Sequence, residues 1–461
     1  MFDAYYRTQN PATEEIEEEF NLHTEKEASD KVMRVGEGLR LWKNKTLAER
    51  CQAIGQLLEV LKREQDLCAQ LMSLEMGKPI TESRHEIGKC LLGLDIFIQT
   101  ATQALTPHSY TASNLASVKN SYVRYEPLGV ILGIMPWNFP FWQVIRFAVP
   151  ALLAGNTVLL KHAPNVPQCA LMLEELFRHA GLESIFQNLF IMNDEVQKLI
   201  ERDVIQGVSL TGSSRAGSQV AQIAGKSLKK TVLELGGSDP FIVLEDADLV
   251  RAVEIGVKSR MINAGQSCIA AKRFLVHHKI APTFQKLFVE KLQSMRCGDP
   301  MLEETELGPL AREDLLENLI HQVGEAKKQG CVVETGGQRI GRQGYFYAPT
   351  FLSHVKEGMV PFVQEVFGPV AAMTEFRDEE EAVYLANATS YGLGASLWTR
   401  DLEKAERLAA QIEAGSVFIN ALVKSDPALP FGGIKKSGYG RELSEVGMRE
   451  FTNIKTVWVG L

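Results

Sequence analysis

No two of the seven cysteines (positions 51, 68, 90, 169, 268, 297 and 331) form a CxxC pair, and none of the nine histidines joins an HExxH or similar spacing. Those absences exclude a zinc ribbon and a disulfide framework, and they predict a reduced, cytoplasmic protein without a metal. His277 and His278 are adjacent and on a strand would point apart. Positive charge is not in excess either. A formal net charge of −8 argues against nucleic acid or an anionic membrane surface as the main ligand. The longest apolar stretch, Phe147 to Leu160, is interrupted by Pro150 and Gly155 and is too short to cross a bilayer. The N-terminal MFDAYYRTQNPATEEIEEEF has no basic region followed by an apolar core, so no secretory signal is expected. Internal repeats and low-complexity tracts are also missing.

What remains is ordinary globular material in quantity. A chain of 461 residues with 45% hydrophobic and 23% charged residues suggests about three domains or lobes with a large core. Residues 1–20 read as an extended arm with a solvated acidic face. From Thr24 to about Ala104 the apolar spacing of three and four residues predicts helices, including Leu47–Arg63 and Asp66–Met76, with a break at Gly77-Lys78-Pro79. Beyond Ser121 strands appear at Tyr122–Tyr125 and Val130–Met135, the second apolar throughout and so buried on both faces.

Strand and helix signals then alternate: Thr157–Lys161, Pro167–His179, Ile185–Ile191, Glu195–Ile200, Val204–Leu210, Ser214–Ala224, Lys230–Leu235. Such alternation predicts parallel βαβ units with helices on both faces. A second alternating set runs from Phe241 to about Ile419 and includes a helix over Leu249–Ala264. A Gly/Pro-rich segment, Pro430–Gly440, and a strand over Thr452–Val459 end the chain.

Several residues have chemistry to offer, each with a plainer alternative. Cys268 follows Asn263-Ala264-Gly265-Gln266-Ser267 on what reads as a tight turn, where a thiolate nucleophile and its own N–H are presented to a reacting oxygen; a lone cysteine is more often a small buried hydrophobe. Asn138, between Pro136 and Pro140, is a candidate oxyanion donor or an asparagine that satisfies a turn. Glu234 lies between leucines ahead of Gly236-Gly237, where burial would raise its pKa toward that of a general base. Gly212 and Ser213 precede a helix and would bring amides to a phosphate, or simply cap it. No GxGxxG accompanies them. Lys161 ends a strand where ribose or phosphate ligands sit, or is a solvated lysine; His162 reads as a surface or packing histidine. Glu365 and Phe367 pair a carboxylate with a ring able to stack.

Seven motifs occur in order: WNFP (137–140), K-x-A-P (161–164), T-G-S (211–213), E-L-G-G (234–237), G-Q-S-C (265–268), E-x-F-G-P (365–369) and P-F-G-G-x-K-x-S-G-x-G-R-E (430–442). Together they resemble the aldehyde dehydrogenase superfamily from about Pro11 to the C-terminus. The resemblance implies an α/β fold of two doubly wound domains plus a β oligomerisation module. The expected division is 1–111 and 127–234 for the NAD(P)-binding domain and 235–439 for the catalytic domain. Oligomerisation strands over 112–126 (a hairpin near Ala112–Glu126) and 440–461 imply a homodimer or homotetramer. It implies Cys268 as nucleophile, Glu234 as base, and Asn138 with the Cys268 amide as the oxyanion hole. Trp137, Lys161, His162, Ala163, Pro164, Gly212, Ser213, Leu235, Glu365 and Phe367 would hold the nicotinamide cofactor.

Within the superfamily, the stretches 161–167 and 420–427 are similar to short bacterial succinate-semialdehyde dehydrogenases. That likeness implies Arg146 as a bidentate clamp for the substrate's distal carboxylate, with Ser425 as second contact; a helix-surface or interdomain salt bridge is the alternative for Arg146. Three departures bear on the expectation. Ile262 stands where larger relatives have a second arginine, with Arg260 nearby. Ala270 removes a cysteine that would form a redox switch. Pro164 replaces a glutamate that selects NAD, which predicts use of both NAD and NADP. Other readings are oxidation of glutarate semialdehyde or an aliphatic aldehyde, transfer of the acyl group to coenzyme A, and a non-catalytic binding protein on the same fold.

Overall fold

The computed structural model describes residues 5–110 and 118–460. Thr24 and Thr46 start the first two helices with capping boxes, each hydroxyl accepting from the N–H three residues on and each backbone N–H donating to Glu27 or Glu49. Helices follow over Glu25–Trp42, Leu47–Met76 and Ile80–Leu105. The two helical segments expected over 47–76 are one 30-residue helix.

A six-stranded sheet takes the order Gly438–Tyr439, Lys230–Glu234, Ile205–Thr211, Val130–Met135, Thr157–His162, Phe186–Asn188, parallel except at Gly438–Tyr439. Alternation along its strands feeds two cores. Ile131, Met135, Val158 and Leu160 pack toward the helices Leu47–Met76, Ile80–Leu105 and Trp142–Leu153. Val130, Leu132, Leu159 and Val208 pack on the opposite face with Val35, Val196 and Val220 of other helices. Both faces are therefore covered, as the near-continuous apolar strands require.

A seven-stranded sheet has the order Val332–Thr335, Thr350–Ser353, Val370–Phe376, Ala271–His277, Asp239–Val243, Gly394–Trp398, Ser416–Ile419, with only its first pair antiparallel. The expected α/β class with two mostly parallel sheets is thus the observed one. Val118–Pro127 pairs antiparallel with Thr452–Gly460 and with His108–Ser109 in a third, three-stranded sheet. Residues 112–117 of the expected hairpin lie outside the described residues.

The helix Trp142–Leu153 was not anticipated. Every residue in it is buried, Pro150 included, so it has no polar face from which a 3.6-residue period could be read. The strands Val332–Thr335 and Thr350–Ser353 were also missed, and the expected strand over 185–191 contracts to Phe186–Asn188. His277 ends its strand and His278 begins the following turn, so their rings lie 4.6 Å apart instead of on opposite faces.

The N-terminal arm is a two-stranded ribbon, Tyr6–Gln9 with Ile16–Phe20. It latches onto the six-stranded sheet: the Tyr6 hydroxyl donates to the Ile191 carbonyl at 3.1 Å, and the Arg7 N–H to the Pro164 carbonyl at 3.1 Å. No helix among the described residues is long and apolar enough to cross a membrane.

Candidate active site

The carboxyl ends of the six-stranded sheet and the amino ends of the seven-stranded sheet bring the candidate residues together. The helix expected to reach Ala264 stops at Met261. Asn263, Ala264 and Gly265 then take left-handed angles, with φ of +54°, +51° and +72°. For the two non-glycine residues that geometry costs of order 1 kcal/mol each and must be held by its surroundings.

The holding contacts are specific. The Asn263 N–H donates to Glu82 Oε2 at 2.7 Å, and its Nδ2 to the Asn138 carbonyl at 2.8 Å. Gln266 Oε1 accepts from the Ala311 N–H at 2.9 Å. Gly265 is required twice: its φ is positive, and a Cβ there would stand 2.2 Å from the Gly368 carbonyl oxygen. Behind the turn, Lys272 Nζ donates to the carbonyls of Ser267 at 2.8 Å and Cys268 at 2.7 Å. The turn expected around Cys268 is therefore a rigid one.

Asn138 is buried with its amide oriented on both sides. Its Nδ2 donates to the Gln266 carbonyl at 3.0 Å, and its Oδ1 accepts from Gln143 Nε2 at 3.1 Å. An amide nitrogen has two hydrogens, so one remains for an oxygen placed beside the Cys268 turn. Glu234 ends its strand 2% exposed, and neither carboxylate oxygen has a hydrogen-bond partner among the described residues. Burial first, and then the nearby Glu442 carboxylate, push its pKa well above the usual carboxylate range, while Arg146 and Arg441 pull it down. A carboxyl so placed is a stronger base than one in water. Burial pushes the Cys268 thiol up to about 11 against the opposing pull of Arg146 and Lys272.

The cofactor candidates divide. Lys161 is 4% exposed at a strand's carboxyl end, and burial lowers it to about 8. No carboxylate lies within ion-pair distance among the described residues, and the Tyr6 ring centroid is 5.9 Å from Nζ. That is a cation awaiting an anion or a ribose. Ser213 caps the helix Ser214–Lys226, its Oγ accepting from the Ala216 N–H at 3.2 Å. The amides of Ser214 and Arg215, at the first helical positions, have no intrahelical acceptor. Leu235 packs against that helix so closely that a Cβ on Gly217 would lie 2.6 Å from its side chain. Trp137 and Phe367 meet edge to face at 5.9 Å, and Ala163 is buried beside Lys161.

Four of these candidates are corrected or narrowed. His162 is fully buried; its Nδ1 accepts from the Ala163 N–H at 2.8 Å and its Nε2 donates to the Pro140 carbonyl at 3.0 Å. Burial lowers it to about 4, so it is a neutral packing residue with no nitrogen left for a cofactor. The Gly212 N–H is taken by the Glu234 carbonyl at 2.9 Å and is not free for a phosphate. Pro164 engages the N-terminal arm through its carbonyl. Glu365 accepts from the Gly237 N–H at 3.1 Å and stands 3.4 Å from Lys272 Nζ, so only part of its carboxylate remains for a ribose.

Arg146 departs furthest from expectation. It projects from the unanticipated helix, 3% exposed, and forms an ion pair with Glu442. Its Nη2 donates to Thr211 Oγ1 at 3.3 Å, and its guanidinium lies 4.9 Å from the Phe431 ring. The salt-bridge alternative is thus present in the structure, alongside whatever Arg146 does for a substrate. Arg260 is fully buried too, donating to the carbonyls of Val366 at 3.0 Å and Gly368, so it braces the 365–369 loop. Ser425 is buried with two donors on its oxygen, Lys89 Nζ at 2.6 Å and Trp142 Nε1 at 3.0 Å.

Sequence reasoning missed Lys272, Lys78, Lys89 and Glu442. Lys78 and Lys89 each stand beside apolar or small residues, a pattern already used for Glu234 but not extended to them, while Lys272 and Glu442 each adjoin an arginine. Lys78 Nζ pairs with Glu86 and donates to the Asn138 carbonyl at 2.9 Å, fixing the loop that carries the amide. Elsewhere, a crevice of about 710 Å³ opens at the carboxyl ends of the seven-stranded sheet, lined by residues including Asp246, His277, Glu379 and Lys404. Two of its carboxylates already have partners: Asp246 with Thr399, and Glu379 with Lys404 and Arg407. Among the described residues no group of three or more His, Cys, Asp or Glu side chains could hold a metal.

Comparison with known proteins decides the family. The aldehyde dehydrogenase family model matches residues 3–457. This chain belongs to that family. A Synechocystis sp. protein named a probable NADP(+) succinate-semialdehyde dehydrogenase is 46% identical over 98% of this chain and 99% of its own. The NADP(+) succinate-semialdehyde dehydrogenase 1 of Mycobacterium bovis is 44% identical over 98% and 99%. The crystal structure of succinic semialdehyde dehydrogenase from Streptococcus pyogenes, in complex with NADP+, superposes with a TM-score of 0.96 at 37% identity, covering 99% of this chain and 100% of that one. An NAD-dependent aldehyde dehydrogenase from Sinorhizobium meliloti gives 0.95 at 33% identity, covering 98% and 91%.

Proposed function

We propose that this aldehyde dehydrogenase oxidises succinate semialdehyde to succinate, with NADP or NAD as hydride acceptor. The observation that carries the reading is the meeting of Cys268 on its braced turn, the oriented amide of Asn138, and the unpartnered buried carboxylate of Glu234. Cys268 loses its proton and attacks the aldehyde carbon; Arg146 and Lys272 favour the thiolate. The free N–H of Asn138 and the Cys268 amide bond the oxygen that becomes negative. A bound nicotinamide cofactor would supply the hydride acceptor for the thiohemiacetal held on Cys268. Glu234 then takes a proton from water, which hydrolyses the Cys268 thioester to the carboxylate. A base so placed for hydrolysis disfavours transfer to coenzyme A.

The cofactor would be held by Lys161 on ribose hydroxyls or phosphate, by the helix start at Ser213, by Leu235 and Trp137, and by Glu365 and Phe367 near the nicotinamide. Pro164 carries neither the acceptor nor the charge that would reject a 2′-phosphate, which supports use of both cofactors. Residues 1–111 and 127–234 would form the cofactor domain and 235–439 the catalytic domain. Segments 112–126 and 440–461 would join subunits into a dimer or tetramer through the antiparallel pair Val118–Pro127 and Thr452–Gly460; Ile454 and Trp458 on it are 62% and 52% exposed. Seven free cysteines fit a reducing cytoplasm.

Steady-state rates with succinate semialdehyde, glutarate semialdehyde and propanal, each with NAD and NADP, test the reading. The highest kcat/KM is expected for succinate semialdehyde; equal values for propanal would refute it. Sedimentation velocity tests the assembly, where a monomer would count against it.

A further inference from the structure

The two oxyanion donors, the Asn138 amide and the Cys268 N–H, come from different sheets. Asn138 follows the strand Val130–Met135 of the six-stranded sheet, and Cys268 precedes the strand Ala271–His277 of the seven-stranded one. Both donors must meet one oxygen, so their separation has to be set by a part of the chain that touches both loops. The start of the helix Ile80–Leu105 does so.

Four-residue spacing puts Glu82 and Glu86 on one face of that helix, and Lys78 lies just before the helix begins. Lys78 Nζ donates to the Asn138 carbonyl at 2.9 Å and pairs with Glu86. Glu86 Oε1 accepts from the N–H groups of Phe141 and Trp142, both at 3.0 Å, and so caps the helix that follows the Asn138 loop. Glu82 reaches the other way. Its Oε2 accepts from the Asn263 N–H at 2.7 Å, where the nucleophile turn begins. Burial raises the Glu82 carboxyl to about 7, and the bond from Asn263 comes first among the interactions that oppose the rise, ahead of the charges of Lys78 and Lys258.

Asn263 joins the two sides. Its Nδ2 donates to the Asn138 carbonyl at 2.8 Å, which together with Lys78 fills both lone pairs of that oxygen. Asn138 Nδ2 in turn donates to the Gln266 carbonyl at 3.0 Å. The thiol is held by other contacts: Lys272 carries the Ser267 and Cys268 carbonyls, and the Ala311 N–H holds the Gln266 side chain. Loss of Glu82 therefore frees the Asn138 side of the turn and leaves the contacts that hold the thiol.

We propose that Glu82 is a positioning residue for the oxyanion hole, acting with Lys78 and through Asn263 to fix the Asn138 amide against the Cys268 N–H. The inference rests on the reading of Asn138 as an oxyanion donor given above.

Glu82→Leu removes the acceptor, and Glu82→Gln keeps an acceptor oxygen without the charge. With succinate semialdehyde and NADP, Glu82→Leu should lower kcat and kcat/KM together by about 30-fold with KM changed less than about threefold, and Glu82→Gln by about fivefold. In an Asn138→Ala background, Glu82→Leu should cost less than about threefold more, since the donor that Glu82 positions is gone. Alkylation of Cys268 by iodoacetamide, which builds no negative charge on an oxygen, should keep its rate within about twofold. Glu82→Gln serves for the same cycle if Glu82→Leu does not fold. An undiminished loss in the Asn138→Ala background, unchanged turnover in both Glu82 variants, or alkylation slowed as much as turnover would overturn the positioning role while Asn138 keeps its own. An Asn138→Ala enzyme with wild-type turnover would overturn both.

Discussion

Replacing Lys272 by Met should disable the nucleophile without touching it. The Lys272 side chain is 1% exposed, and its ammonium donates to the Ser267 and Cys268 carbonyls at 2.8 and 2.7 Å. Met fills much of the volume but offers no donor, so two buried carbonyls lose their partner at about 1–3 kcal/mol each. The 3.4 Å contact with Glu365 is lost as well, but that carboxylate is 19% exposed and can recover water, so it adds little. About 3 kcal/mol of local stability should go, from a turn that already holds Asn263 and Ala264 in strained angles. Lys272 is also one of the two cations that favour the Cys268 thiolate.

The assay is iodoacetamide alkylation of Cys268 against pH, together with steady-state turnover. The variant should show an alkylation midpoint moved to higher pH and a kcat lower by about 100-fold, the scale expected when a reacting group is displaced by an ångström. Lys272→Arg, which keeps charge and donors, should recover part of both. Unchanged turnover and an unchanged alkylation profile in Lys272→Met would refute the bracing argument.

Other outcomes follow from the same geometry. Glu234→Gln should give a burst of reduced cofactor of about one equivalent per site and then stall, because thioester hydrolysis loses its base; sustained turnover would remove Glu234 from that role. Asn138→Ala should lower kcat by about 10²–10³-fold, the usual cost of one oxyanion donor, and a change confined to KM would count against it. Because burial sets the Cys268 thiol at about 11, the thiolate fraction grows about tenfold per pH unit below that value. Alkylation of the free enzyme should therefore accelerate steadily from pH 7 to 10, and a plateau near pH 7 would contradict the burial argument. Lys161, lowered to about 8, is charged below that pH and neutral above it. Cofactor binding followed by fluorescence should weaken as pH rises through that range, and Lys161→Met should be weak at every pH.

Much of the site was readable in the chain because its chemistry is local. Gly265 ahead of Cys268, prolines on both sides of Asn138, and Glu234 between leucines each carry a backbone constraint or a burial signal within a few residues. The parallel sheets were readable for a similar reason, since strands buried on both faces are apolar at every position. Trp142–Leu153 escaped because a helix buried on all sides has the same apolar signature as an interrupted strand. Gly212 was read as ligand-facing from its neighbours, and His162 was placed at the cofactor only by the family resemblance, yet their hydrogen bonds are spent on Pro140, Ala163 and Glu234.

The amino-acid sequence by itself determined the α/β class, the family, and the identities of nucleophile, base and oxyanion donor proposed here, all of which depend on residue type and short-range spacing. Only the tertiary structure decided which cations are free. Arg146 meets Glu442 and Lys89 meets Ser425 across intervals of hundreds of residues, and a buried charge is compensated or available according to what the fold sets within about 4 Å of it. That distance is a property of packing, and no local pattern in the chain encodes it.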